Sequence, residues 1–143
     1  MKRPKVIARA RVRNADLVAM VVKACVDASH NVRPPVVPEG SELPMQLYLY
    51  LVTEIQYLAE TGTQIIRRPN ALVLEGVGDC KSTAVFIGSI CKAAGMDVRL
   101  AFIKTAERPW YSHVYAIVDG VVVDPLLDYG EECDYIYRKL VRI

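Results

Sequence analysis

The sequence predicts an α+β domain in which a cysteine-bearing helix packs on a small antiparallel sheet, with extra helices on its N-terminal side. Three observations predict it. Apolar residues recur at helical spacing in the first two thirds of the chain, as in Leu17, Val18, Val21, Val22, Cys25 and Ala28. The last third gives short β-branched runs over 97–103, 112–118 and 121–124. Between the last two runs stands Asp119-Gly120, a two-residue turn signal whose positions both favour positive φ.

Residues 3–13 alternate loosely and suit an edge strand or an extended arm. Asn14 can cap a helix over 15–29. Arg33-Pro34-Pro35-Val36-Val37-Pro38 reads as a stiff linker, because its prolines exclude helix and ladder donation. Ser41 opens a second helix to about residue 60, with Pro44 tolerated in its first turn and Gly62 near its end. Apolar almost all round, this helix is expected to be the buried central one. Residues 63–78 read as a long loop. A third helix follows over 80–94, ended by Gly95, with Ala84, Ile87, Gly88, Cys91 and Ala94 inward. Residues 135–141 supply a fourth strand.

At 143 residues, with ordinary charge and many aliphatics, the chain can bury a core and is not of the disordered class. Its net charge of +2 hides an asymmetry. Lys2, Arg3, Lys5, Arg9, Arg11 and Arg13 put six positives in the first thirteen residues, which leaves the rest at −4. The organisation is read as arm, helix and linker over 1–40 and the main domain over 41–143, compact as a whole. The arm is a candidate contact for a polyanion. Lys23 interrupts Leu17 to Val26 and Asp16 and Asp27 bound it, which argues against a signal peptide there, and no segment reaches the roughly 18 apolar residues of a membrane span. A cytoplasmic protein without membrane association is expected. Cys25, Cys80, Cys91 and Cys133 form no disulfide framework and no Cys-x-x-Cys pair. With only His30 and His113 available, neither a zinc centre nor another cofactor is expected.

The chemistry concentrates at Gly78-Asp79-Cys80. A helix N-terminus there offers a positive dipole and unpaired amides, which favour a thiolate. Asp79 stands at the N-cap and its charge opposes that effect, while Lys81 acts for the thiolate. The Asp119-Gly120 turn pairs Val118 with Val121 and, by continuation, Tyr115 with Asp124. His113 then shares a face with Asp124, diagonal to it. A sulfur, a base and an orienter are what a thiol nucleophile needs: Cys80 attacks, His113 moves the proton and Asp124 fixes the ring. Each residue alone is an ordinary structural one; their order on these elements makes the constellation.

Several motifs together resemble the transglutaminase-like superfamily of cysteine proteases and acyltransferases, a branch of the papain-like fold. They are Ile55-x-Tyr57, Leu74-x-Gly76-x-Gly78-Asp79-Cys80, Ala84, Ala94-Gly95, Ser112-His113-Val114-Tyr115 and Val123-Asp124-Pro125. The resemblance covers roughly 45–128. It implies a Cys80, His113, Asp124 triad acting on a peptide or amide bond of a peptide or protein substrate through a thioester. It also implies a bacterial or bacteriophage setting, hence host cytoplasm or virion. The chain departs from the pattern at Lys81, where the family often has an acid, and in having no tryptophan before Cys80. Gln56, Gln64 and Tyr57 stand as oxyanion candidates. Trp110, with Tyr111, reads either as a substrate wall or as a plug over the core. The competing expectation is a non-catalytic phage or bacterial structural or interaction protein that keeps the fold.

Overall fold

The computed structural model describes residues 14–59, 65–107 and 110–143. The basic arm, Gln64 and Arg108-Pro109 lie outside the described residues. The helices are α1 (Asn14–Ser29), α2 (Leu43–Glu54), α3 (Pro69–Glu75) and α4 (Cys80–Ala93). The strands are β1 (Gln56–Tyr57), β2 (Val77–Gly78), β3 (Val98–Lys104), β4 (His113–Val118), β5 (Val121–Val123) and β6 (Tyr137–Arg142). The architecture is α+β, as the hydrophobic periods required.

α4 is the centre of the molecule. Every residue from Lys81 to Cys91 is buried, because α1, α2 and α3 cover one side of the helix and β3 and β4 the other. Small residues make that possible. A Cβ on Gly88 would stand 2.7 Å from the Cys25 sulfur of α1, so the two helices meet where one has no side chain. Leu17, Val21, Cys25 and Ala28 of α1, Leu47 and Leu51 of α2 and Leu72 of α3 share this core with Leu100, Phe102, Val114 and Ala116 of the sheet.

Three elements depart from the sequence expectation. α2 is shorter, ending at Glu54, because Ile55 turns extended (φ −109°, ψ 125°) and Gln56-Tyr57 pair with Val77-Gly78. Nor is α2 central: Leu47 and Leu51 are buried, but Leu49 and Val52 are each 43 % exposed. Its apolar exterior made it look more buried than it is. The expected loop over 63–78 contains α3, bracketed by Pro69 in its first turn and Gly76 in the left-handed conformation (φ 70°). Finally, Ala94 is exposed, since the helix has already ended and Gly95 (φ 82°) reverses the chain.

The main sheet has the order β5-β4-β3-β6, with antiparallel neighbours throughout. Asp119 (φ 48°) and Gly120 (φ 81°) form the tight turn, and the register pairs Val118 with Val121, Ile117 with Val122 and Ala116 with Val123, as the turn signal predicts. Val114, Ala116 and Val118 face α4. Ala101, Ile103 and Tyr115 form the opposite face, against which Ile117, Val122 and Cys133 pack. Among the described residues, no helix is long and apolar enough to cross a membrane.

Candidate active site

Asp79 builds the cysteine's position. Its carboxylate accepts from the backbone N–H of Lys81 at 3.0 Å and of Ser82 at 3.3 Å, which caps α4 and sets Cys80 as the first helical residue. The Lys81 ammonium, also buried, pairs with the same carboxylate. The capping acid and the lysine after Cys80, which the sequence sets in opposition, are thus joined in one buried ion pair.

Parallel pairing of β1 with β2 sets Tyr57 opposite Gly78, and Leu58 N–H donates to the Gly78 carbonyl at 2.9 Å. This brings the Tyr57 hydroxyl up to Cys80, whose side chain and backbone both act on it. The ring is 37 % exposed, yet desolvation at its hydroxyl, then the charges of Cys80 and Asp79, push the phenol well above its ordinary range, so it stays a donor. Gly78 is required here for a spatial reason. A Cβ at that position would lie 2.6 Å from Leu72 Cδ1.

His113 opens β4 opposite Ile103, on the Tyr115 face of the sheet, and its ring centroid lies 5.7 Å from that of Tyr115. Its Nε2 meets Asp124 Oδ2 at 2.6 Å. The side chains are 13 % and 2 % exposed, so solvent screens the pair little. Asp124 follows β5, and its other carboxylate oxygen accepts from Leu126 N–H at 3.1 Å. The aspartate is thus both turn former and ring partner. Cys80 stands near enough to the ring to act on it. With Nε2 committed to Asp124, Nδ1 is the nitrogen left for the thiol. Burial works against a charged ring, yet the hydrogen bonds to Asp124 and Cys80 outweigh it and push His113 up to about 10.

The structure therefore brings Cys80, His113, Asp124 and Tyr57 together. Gln56 is exposed on β1. Trp110 is half-buried at the bend before β4. Its neighbour Tyr111 packs on Phe102 and Tyr137, with ring centroids 5.7 and 6.2 Å away, in the manner of a plug. One residue near the ring escaped the sequence reading. The Cys133 sulfur, a His113 ring nitrogen and an Asp124 oxygen all lie within 4.8 Å of one another. The expectation of no metal centre rested on a histidine count and missed that juxtaposition, since nothing local to Cys133 ties it to the hairpin.

No curated protein matches the chain. It is similar to the crystal structure of a proposed cysteine protease from Cytophaga hutchinsonii, with 14 % identity and a TM-score of 0.42. That alignment takes in 94 % of this chain and spans 44 % of the other. The Transglutaminase-like superfamily matches residues 30–121, more than half of the sequence and including α4, β4 and the hairpin turn. The chain belongs to the Transglutaminase-like superfamily.

Proposed function

We propose that this protein is a cysteine hydrolase or acyltransferase that opens a peptide or amide bond through a thioester on Cys80. The observation that carries the reading is the 2.6 Å contact of Asp124 with the His113 ring, which stands beside a thiol at the tip of α4. In the proposed reaction the Cys80 sulfur, its proton held on His113, adds to the substrate carbonyl carbon. His113 then gives that proton to the departing nitrogen as the C–N bond breaks, leaving a thioester and a free amine. Water or a second amine adds to the thioester carbon and gives its proton to His113. The C–S bond breaks, and the proton stays with the Cys80–His113 pair. Asp124 holds the ring and stabilises its charged form. Tyr57 is assigned the oxyanion, because its hydroxyl is polarised by the Cys80 N–H and stays protonated.

The test is alkylation by iodoacetamide at neutral pH, read site by site. Cys80 should label about tenfold or more faster in the folded protein than in the denatured chain, and His113→Ala should remove the difference. Cys25 and Cys91 are internal controls, because burial pushes both thiols up to about 12. Equal, slow labelling of Cys80 in folded and denatured protein would overturn the assignment. Where a peptide substrate is turned over, Cys80→Ala should abolish the reaction and Tyr57→Phe should slow it about 10²-fold while leaving alkylation intact.

A second reading, a binding protein that keeps the fold, draws on Leu74 (87 % exposed) and Val36 (99 % exposed), which lie on neighbouring apolar grooves beside Phe86 and Ile90. Biological activity that survives Cys80→Ala would favour it.

A further inference from the structure

We propose that His113, Asp124 and Cys133 form a binding site for a borderline-soft divalent cation, zinc first among them. The three residues come from separate parts of the fold: His113 opens β4, Asp124 follows β5, and Cys133 lies in the segment before β6. Their donor atoms nevertheless converge, all within 4.8 Å of one another. Tetrahedral zinc with bonds of about 2.0–2.3 Å holds its donors roughly 3.3–3.8 Å apart. Seating the ion takes a closing movement of at most about 1 Å, which rotation of the Cys133 side chain can supply, and an opening of the 2.6 Å His113–Asp124 contact by a similar amount. The donor set of one imidazole, one carboxylate and one thiolate selects Zn²⁺ or Cd²⁺ and discriminates against Mg²⁺ and Ca²⁺, which prefer oxygen.

Two further features suit a cation. Glu132 and Asp134 flank Cys133 in the chain and, with Asp124, put negative charge beside the three donors. A divalent ion would offset that charge. The segment is also fixed in place: Glu132 accepts from the Tyr115 hydroxyl at 2.5 Å and from Arg138 at 2.6 Å. Those bonds anchor the residue next to Cys133 without using any of the three donors, as outer partners of metal ligands do. On binding, the Cys133 S–H and the charged His113 ring each give a proton to solvent, His113 coordinates as the neutral ring, and Asp124 exchanges its ring contact for the metal. Solvent completes the coordination.

The consequence for catalysis rests on the function proposed above. The ion would take the base and its orienter together, so metal loading would silence Cys80 reversibly.

Cobalt(II) added to the full chain tests the site without any activity measurement. A thiolate-to-cobalt charge-transfer absorption is expected in the wild type and in Cys80→Ser, and added Zn²⁺ should displace it. It should vanish in Cys133→Ser, with affinity weaker by about a hundredfold or more. An absorption that persists in Cys133→Ser and is lost in Cys80→Ser would move the site to the nucleophile and overturn the proposal, as would its absence from the wild type. Should Cys133→Ser not fold, Asp124→Asn carries the same expectation of weakened binding. Alkylation of Cys80 in the metal-free protein reads the enzymatic assignment separately, so either idea can fail while the other stands.

Discussion

His113 feels two opposing influences, burial against its charge and hydrogen bonding for it, and the second prevails. Its folded-state value of about 10 stands above the ordinary 6.5. The folded protein therefore holds a proton that the unfolded chain gives up. The stabilisation is fully present below pH 6.5 and is lost as pH rises toward 10. Cys25 and Cys91, pushed from 9.0 up to about 12 by burial, add a slope of the same sign above pH 9. The diagnostic window is thus pH 6.5 to 9. Urea denaturation should show a midpoint that falls through that window in the wild type and is nearly flat in His113→Ala. A wild-type midpoint that stays level would remove the charged-ring account. At this same scale the His–Asp contact was legible beforehand, because hairpin parity alone puts residues 113 and 124 on one face. The Tyr57 contact was readable only as one of several oxyanion candidates, since a two-residue parallel pairing of residues 21 positions apart has no local signature.

Among the elements, α4 carries the prediction. Gly88→Ala should gain about 1 kcal/mol of helix propensity and lose about 1–3 kcal/mol to the clash with the Cys25 sulfur, for a net destabilisation. In a Cys25→Ala background the clash is gone and only the gain remains. A double-mutant cycle by urea denaturation should therefore show coupling of at least about 1 kcal/mol. Additive effects would mean that the α1–α4 approach is looser than described. The elements also show how sequence patterns mislead. α2 is the more apolar helix, yet α4 is the buried one, because small residues, not large aliphatics, let neighbours close in from several sides. α3 went unread since seven residues hold too few periods to register, although Pro69 and Gly76 mark both ends.

For the whole molecule, the consequence of one shared core is cooperative unfolding. α1, α2, α3, α4 and the sheet all contribute to it, and the Tyr48 hydroxyl of α2 donates to the Leu127 carbonyl at 2.7 Å, just beyond Asp124. Far-UV circular dichroism, which follows the helices, and fluorescence of Trp110, the chain's sole tryptophan, should give superimposable urea transitions. A helical transition that separates from the tryptophan one would show that α1 and α2 are an independent unit. Tyr48→Phe should lower the common midpoint by about 1 kcal/mol of stability.

What the sequence by itself determined follows from near neighbours: the types of the long elements, the cap before Cys80, and the Asp119-Gly120 register that sets His113 beside Asp124. Periodicity, capping and turn chemistry act over a few residues and are written in the order of the chain. The tertiary structure alone decided which helix is central, that Tyr57 reaches Cys80, and that Cys133 returns to the ring. Those contacts join segments whose pairing depends on how every intervening element packs, and no short stretch of sequence contains that information.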